Sequence, residues 1–152
     1  VQSTGKRHAA ATRMEFTKRI SYEQSDRGCK IIAASVKSGA KVILPRSSRS
    51  AGSDDDVRFI WNTLQSDIKR HEESHVSIAK NHARMLEDEL KAMGRQKSCE
   101  IAAQKAEEIG QRVLALHDRE QQRFDRVETI NFERRLMRLL KYRAEQAASR
   151  RR

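Results

Sequence analysis

The chain is poor in the residues that interrupt or stiffen a fold. Among 152 residues there are one proline, Pro45, and six glycines, so little stands in the way of long helices. Aromatic residues make up 5%, too few for the dense core of a β-sandwich. No stretch approaches the roughly 20 apolar residues of a membrane-spanning helix, and no signal-peptide apolar core is visible. The two cysteines, Cys29 and Cys99, lack a close CxxC partner, which excludes a cysteine-rich zinc motif or a dithiol redox motif. By themselves they leave two readings, one long-range disulfide or two buried thiols.

Charge is abundant. Asp, Glu, Lys and Arg form 35% of the chain and the formal net charge is +11. Residues 1–50 hold 11 Lys/Arg against 3 acids, residues 51–129 are slightly acidic, and the segment from Ile130 is basic again. Basic ends attract nucleic acid, anionic surfaces or acidic envelope polymers, or simply keep a chain solvated. No nucleic-acid recognition motif accompanies the charge, so nucleic acid is not an expected partner. With 37% hydrophobic residues, the length suits one domain with a thin core between amphipathic helices. The first residue is Val1 rather than Met, as expected of a processed form or a fragment, and a segment ahead of it could have included an export signal.

Periodicity divides the chain. From Ala11 to Tyr22 the residues Met14, Phe16, Ile20 and Tyr22 fall at even spacing between charged ones, as a half-buried strand requires. Arg27-Gly28 predicts a turn, Lys30–Val36 a β-branched strand, Ser38-Gly39 a second turn, and Lys41–Leu44 a third short strand. The sheet region 11–44 is thus expected to be a small antiparallel meander. Residues 45–56 read as a connector ending in a helix start, with Ser53 or Asp54 as cap and Asp55 and Asp56 in the first turn. A helix is expected over 57–93, stopped near Gly94, and a second over 98–147, folding back antiparallel because the connection is short. A basic tail follows. The expected class is α+β.

The first helix carries the chemistry. Arg70-His71-Glu72-Glu73-Ser74-His75-Val76 holds the spacing His-Glu-x-x-His. Histidines four apart share a helix face and can offer two imidazole nitrogens to one zinc ion. Glu72 stands beside the first of them, where a general base for a zinc-activated water belongs. A chance match on a charged surface helix would leave this turn solvated, but Trp61, Leu64, Ile68, Val76 and Ile78 place it on an apolar flank. His82 is seven residues beyond His75, about 10 Å along the axis, and cannot join the same ion. The third ligand must come from the second helix, where His117, Glu120, Asp125 and Glu128 are the available donors. His117 and Asp125 are about 12 Å apart along that helix, so only one can serve.

The order of features resembles the bacterial domain-of-unknown-function family 922, described as predicted secreted zinc-dependent proteases. The likeness rests on Gly28-Cys29, Val42-Ile43-Leu44-Pro45, Trp61 ten residues before His71-Glu72-Glu73-Ser74-His75, Ser98-Cys99 and Phe124-Asp125. It implies one zincin-like domain over 1–152, a Zn2+ cofactor, and an exported protein, secreted or periplasmic. It also implies a disulfide between Cys29 and Cys99. The family usually closes with Tyr-Asp-x-x-Thr-x-His-Gly, where this chain has Phe124-Asp125-Arg126-Val127-Glu128-Thr129-Ile130-Asn131 and keeps the Asp. The resemblance makes Asp125 the first candidate for third ligand, with His117 as the alternative because imidazole is a good zinc donor. The departure removes a phenol able to stabilise an oxyanion and a histidine. The expected function is peptide-bond hydrolysis by a zinc-activated water, acting on a peptide or protein. The alternative is a catalytically impaired zincin-like binding or structural protein of the cell envelope.

Overall fold

In the computed structural model, residues 11–44 and 55–151 are described. The caps expected at Ser53 or Asp54, and the connector from Pro45 to Asp54, lie outside the described residues. The architecture is α+β: a two-stranded antiparallel hairpin followed by two long helices. β1 is Ala11–Ser25 and β2 is Gly28–Ile43.

The expected turn at Ser38-Gly39 and the third strand are not formed. Ser38 pairs with Phe16 and Gly39 with Glu15 inside one continuous ladder that runs on to Ala11 opposite Ile43. Ser and Gly weaken a strand but do not break it when a partner strand supplies every rung. The tight turn falls at Asp26-Arg27, and Gly28 closes it with φ at 121°, a conformation that suits glycine. A side chain there is also excluded by space, since a Cβ would come 2.1 Å from the Gln96 carbonyl oxygen.

Both strands turn one face inward, and a bulge keeps it so. The register shifts between Ser21 and Tyr22: Ser21 pairs with Ala33 and Tyr22 with Ile31, leaving Ile32 over and 54% exposed. One extra residue changes the parity of β2. Cys29 and Ile31 on one side of the bulge and Ala34 and Val36 on the other are therefore all buried.

α1 spans Asp55–Ala92 and α2 spans Cys99–Arg150. α1 takes in Asp55 and Asp56, the last two residues of the expected connector, and α2 continues into the segment expected as a basic tail. Ser98 caps α2, its hydroxyl accepting from the Ile101 N–H at 3.2 Å. The buried residues of α1 are Glu72, His75, Ala79, Ala83, Leu86 and Leu90, and those of α2 are Ala102, Ala106, Gly110, Val113, His117 and Gln121. Steps of three and four in both sets define one stripe per helix, and the many small residues let the helices and sheet approach closely. Ile31, Ala34 and Val36 of β2 complete this core against Leu86, Leu90 and Val113, with Phe16, Ile20 and Tyr22 at its margin.

The reversal between the helices is tied to the hairpin three ways. Cys29 and Gln96 exchange backbone hydrogen bonds of 2.8 and 2.7 Å, Arg95 donates to Ser25 Oγ at 2.9 Å, and Cys29 is joined to Cys99 with Cα atoms 5.0 Å apart. Gly94 does not adopt the left-handed cap; among the described residues Gly28 alone has a positive φ. α1 ends instead because the chain extends to pair with β2 at Gln96.

Farther along β2, the Val36 N–H donates to Glu87 Oε2 at 2.9 Å and Lys91 Nζ donates to Glu87 Oε1 at 3.0 Å. The Val36 amide first, and Lys91 after it, hold the Glu87 carboxyl below its ordinary range.

Two outcomes are expected. The disulfide closes a separation of 70 residues, so reducing it should lower unfolding free energy by about 4 kcal/mol in a chain-entropy account, measured by urea denaturation with and without reductant. Because the Glu87 pKa is depressed in the folded state, its contribution is present above the unfolded pKa and lost as pH falls through the folded one. The stability gap between the natural chain and Glu87→Gln should therefore be open at neutral pH and close on acidification, as followed by denaturation at a series of pH values.

Candidate metal centre

Where the buried stripes end, polar side chains replace apolar ones. His71 and His75, one turn apart on α1, meet Asp125 of α2. Asp125 Oδ1 lies 2.9 Å from His71 Nε2 and 2.7 Å from His75 Nε2, and the two nitrogens are 3.1 Å apart. Ligand atoms on a tetrahedral zinc ion with bonds of 2.0–2.1 Å stand about 3.3 Å from one another. Two imidazole nitrogens and a carboxylate oxygen, all within 4.8 Å, form the one group of three metal-ligating types found among the described residues. The donor types suit a small divalent cation, and the separations, shorter than the tetrahedral spacing by about 0.2–0.6 Å, are those of direct hydrogen bonds that an ion would part.

The hydrogen bonds behind the histidines support the same donor set. Gln121, 9% exposed, donates from Nε2 to the His75 carbonyl oxygen at 2.9 Å. This fixes which end of the amide is which, since the reverse orientation would set two oxygens against each other. Its Oε1 then faces His75 Nδ1, which must donate to it. In the neutral imidazole Nε2 is left with a lone pair, pointed at Asp125 Oδ1. Two lone pairs 2.7 Å apart require a cation or a proton between them. Gln121 Nε2 also lies 3.1 Å from His117 Nε2, and His117 Nδ1 is 3.1 Å from Asp118 Oδ1. A line of polar groups thus runs from the surface to the back of His75.

Phe124 covers the pair from α2, its ring centroid 4.8 Å from that of His71 and 5.0 Å from that of His75. Glu72 is 7% exposed and accepts a hydrogen bond from the Thr12 hydroxyl of β1. The first rungs of the hairpin therefore lie over the His-Glu-x-x-His turn. Glu72 and His71 also line an open cleft of about 220 Å³ between the two helices.

The structure brings His71, His75 and Asp125 together and keeps His117 apart from them, one helical turn beyond Gln121 toward the core and in contact with Phe16 and His82. His82 hydrogen-bonds through Nδ1 to the Ile78 carbonyl, 2.8 Å away. Glu128 pairs with Arg135 at 3.3 Å, and Glu120 is exposed. Cys29 and Cys99 are bonded. Gln121 and Thr12 had no place in the sequence reading. A signal for Gln121 existed: His117, Gln121 and Asp125 succeed one another at intervals of four, a polar row on one face of α2.

If Gln121 sets the tautomer, proton–nitrogen correlation NMR of the metal-free chain should find neutral His75 protonated at Nδ1. In Gln121→Leu the two tautomers should mix; an unchanged His75 signal would assign that control to another group.

The model of the family of bacterial proteins of unknown function DUF922 matches residues 1–132. No curated protein and no solved structure matches the chain. The match takes in the hairpin, the His-Glu-x-x-His helix and Asp125, and the chain belongs to the DUF922 family.

Proposed function

We propose that this chain is a zinc-dependent metallopeptidase of zincin type that works outside the cytoplasm. The observation that carries the reading is the convergence of His71 Nε2, His75 Nε2 and Asp125 Oδ1, with Glu72, the acidic member of the His-Glu-x-x-His sequence, lining the same cleft as His71. These three atoms would hold the ion, which when bound supplies a Lewis acid for the carbonyl and lowers the pKa of water.

The chain's own residues have distinct tasks in this reading. Glu72 accepts the proton of the attacking water and delivers it to the leaving amine. Its burial keeps competing bulk water away, and the Thr12 hydroxyl orients the carboxylate. Gln121 holds His75 with its Nε2 lone pair turned outward. Among the described residues β1 belongs to a two-stranded sheet and has no strand partner on its other edge, and an extended peptide added there would pass Thr12 and hence Glu72.

The disulfide suits an oxidising compartment, periplasmic or extracellular, and among the described residues no helix is long and apolar enough to cross a membrane. The basic segment of α2 from Ile130 would favour an acidic envelope polymer or an anionic surface as neighbour. A second reading, a zincin-like binding or structural protein with impaired catalysis, draws on Phe124. Its ring stands against both imidazoles, where a tyrosine would bring a phenol for oxyanion stabilisation.

The test is elemental analysis after dialysis, joined to peptide hydrolysis. About one zinc per chain is expected in the natural protein and in Glu72→Gln, with loss in His75→Ala. Hydrolysis should fall by about a hundredfold or more in Glu72→Gln at unchanged zinc content. Zinc affinity in Gln121→Leu should drop about 10- to 100-fold. Bound zinc without hydrolysis of any peptide would favour the second reading, and no zinc after reconstitution would sink the first.

A further inference from the structure

The core stops at Glu72 on α1 and at Gln121 on α2; no described residue beyond them toward Asp55 or Arg150 is buried. Yet that stretch is not polar. Leu64 and Ile68 of α1 and Phe132, Leu136 and Leu139 of α2 face the space between the helices and remain half-exposed. The cleft of about 220 Å³ that starts at His71 and Glu72 has Ile68, Thr129 and Phe132 along its sides. It continues into a second of about 210 Å³ that shares Asp67, Phe132 and Arg135 and adds Leu64, Leu136 and Leu139. The helices thus flank an open cleft, apolar at Leu64, Ile68, Phe132, Leu136 and Leu139 and charged at Asp67, Glu128 and Arg135, with one end at the acidic residue of the metal-binding turn.

Of the three carboxylates that line the first cleft, Asp67 and Glu128 are already paired with arginine, and Glu72 accepts from the Thr12 hydroxyl. Arg135 donates to Asp67 at 3.2 Å and to Glu128 at 3.3 Å, and Arg70 donates to Asp67 at 2.9 Å. Asp67 and Glu128 are each 22% exposed, so a charged guest bound at either would have to displace its arginine in a partly desolvated place. An apolar guest displaces none and covers Ile68 and Phe132. The space beside Glu72 is of the order of one large side chain rather than a whole ligand, since drug-sized ligands occupy about 300 Å³ or more.

We infer that this cleft is the side-chain pocket of the peptidase site and takes a large aliphatic or aromatic residue next to the scissile bond. The inference rests on the zinc peptidase reading. Phe132 and Ile68 set the preference, and Arg135, fixed between Asp67 and Glu128, closes the floor against charged residues.

Two zinc-directed probes separate the pocket from the metal. Acetohydroxamate needs the metal alone, whereas a hydroxamate bearing a benzyl side chain also offers a group to the cleft. Binding of each is measured by calorimetry to the zinc-loaded natural chain, Phe132→Ala and Ile68→Ala, with zinc content and helix content checked in each. The benzyl compound should bind the natural chain about tenfold tighter or more, and this advantage should shrink in both variants while acetohydroxamate binding stays the same. Equal affinity of the two probes for the natural chain, or an advantage that survives both substitutions, overturns the pocket and leaves the zinc reading standing. Failure of zinc to load on the natural chain overturns both.

Discussion

Everything at the candidate centre depends on the register of two antiparallel helices. Four residues back along α1 from His75 is His71, and four residues forward along α2 from Gln121 is Asp125. Because the chains run in opposite directions, these steps move along the interface together, so the contact between His75 and Gln121 brings His71 and Asp125 level as well. A slip of one turn would break all of these contacts. The register is held at the reversal, where the paired backbones of Cys29 and Gln96 and the disulfide to Cys99 tie both helices to the hairpin. A covalent link at one end acts on the other because a helix is stiff and the small residues between them leave little play.

The centre shares its stripes with the core, which explains its mixture of burial and polarity. Glu72 and His75 continue the row of Ala79, Ala83, Leu86 and Leu90, and His117 and Gln121 continue that of Val113 and Gly110. Polar groups in such a row must find partners, and here they find one another: Gln121 serves His75 twice, His117 meets Gln121, and Thr12 answers Glu72. The hairpin contributes more than an apolar lid, since Met14 Sδ and the Thr12 hydroxyl both reach this polar end. Beyond it the helices separate, the ion pairs of Arg135 take over, and a cleft remains.

Much of this was legible in the chain itself. The His-Glu-x-x-His spacing, the apolar periodicity of two long segments without proline, and the alternation of Met14, Phe16, Ile20 and Tyr22 are local properties, readable because helix and strand repeat at fixed intervals. Excluding His82 from the histidine pair needed nothing beyond the rise of a helix. The length of β2 was not legible, because Ser38 and Gly39 look like a turn unless their partners Phe16 and Glu15 are known. Strand continuity belongs to a pair of strands, and one strand read alone does not contain it.

The sequence by itself determined the element types, the two imidazoles on one helix face, and the short list of donors on the second helix. The tertiary structure set Asp125 against both imidazoles and His117 two turns deeper, since distances across an interface depend on register and not on spacing. It also decided the joining of Cys29 to Cys99, which composition alone left open, by folding the reversal onto the base of the hairpin. The roles of Gln121 and Thr12 came from the same source. An amide and a hydroxyl acquire direction when their neighbours are in place, and those neighbours lie 46 and 60 residues away along the chain.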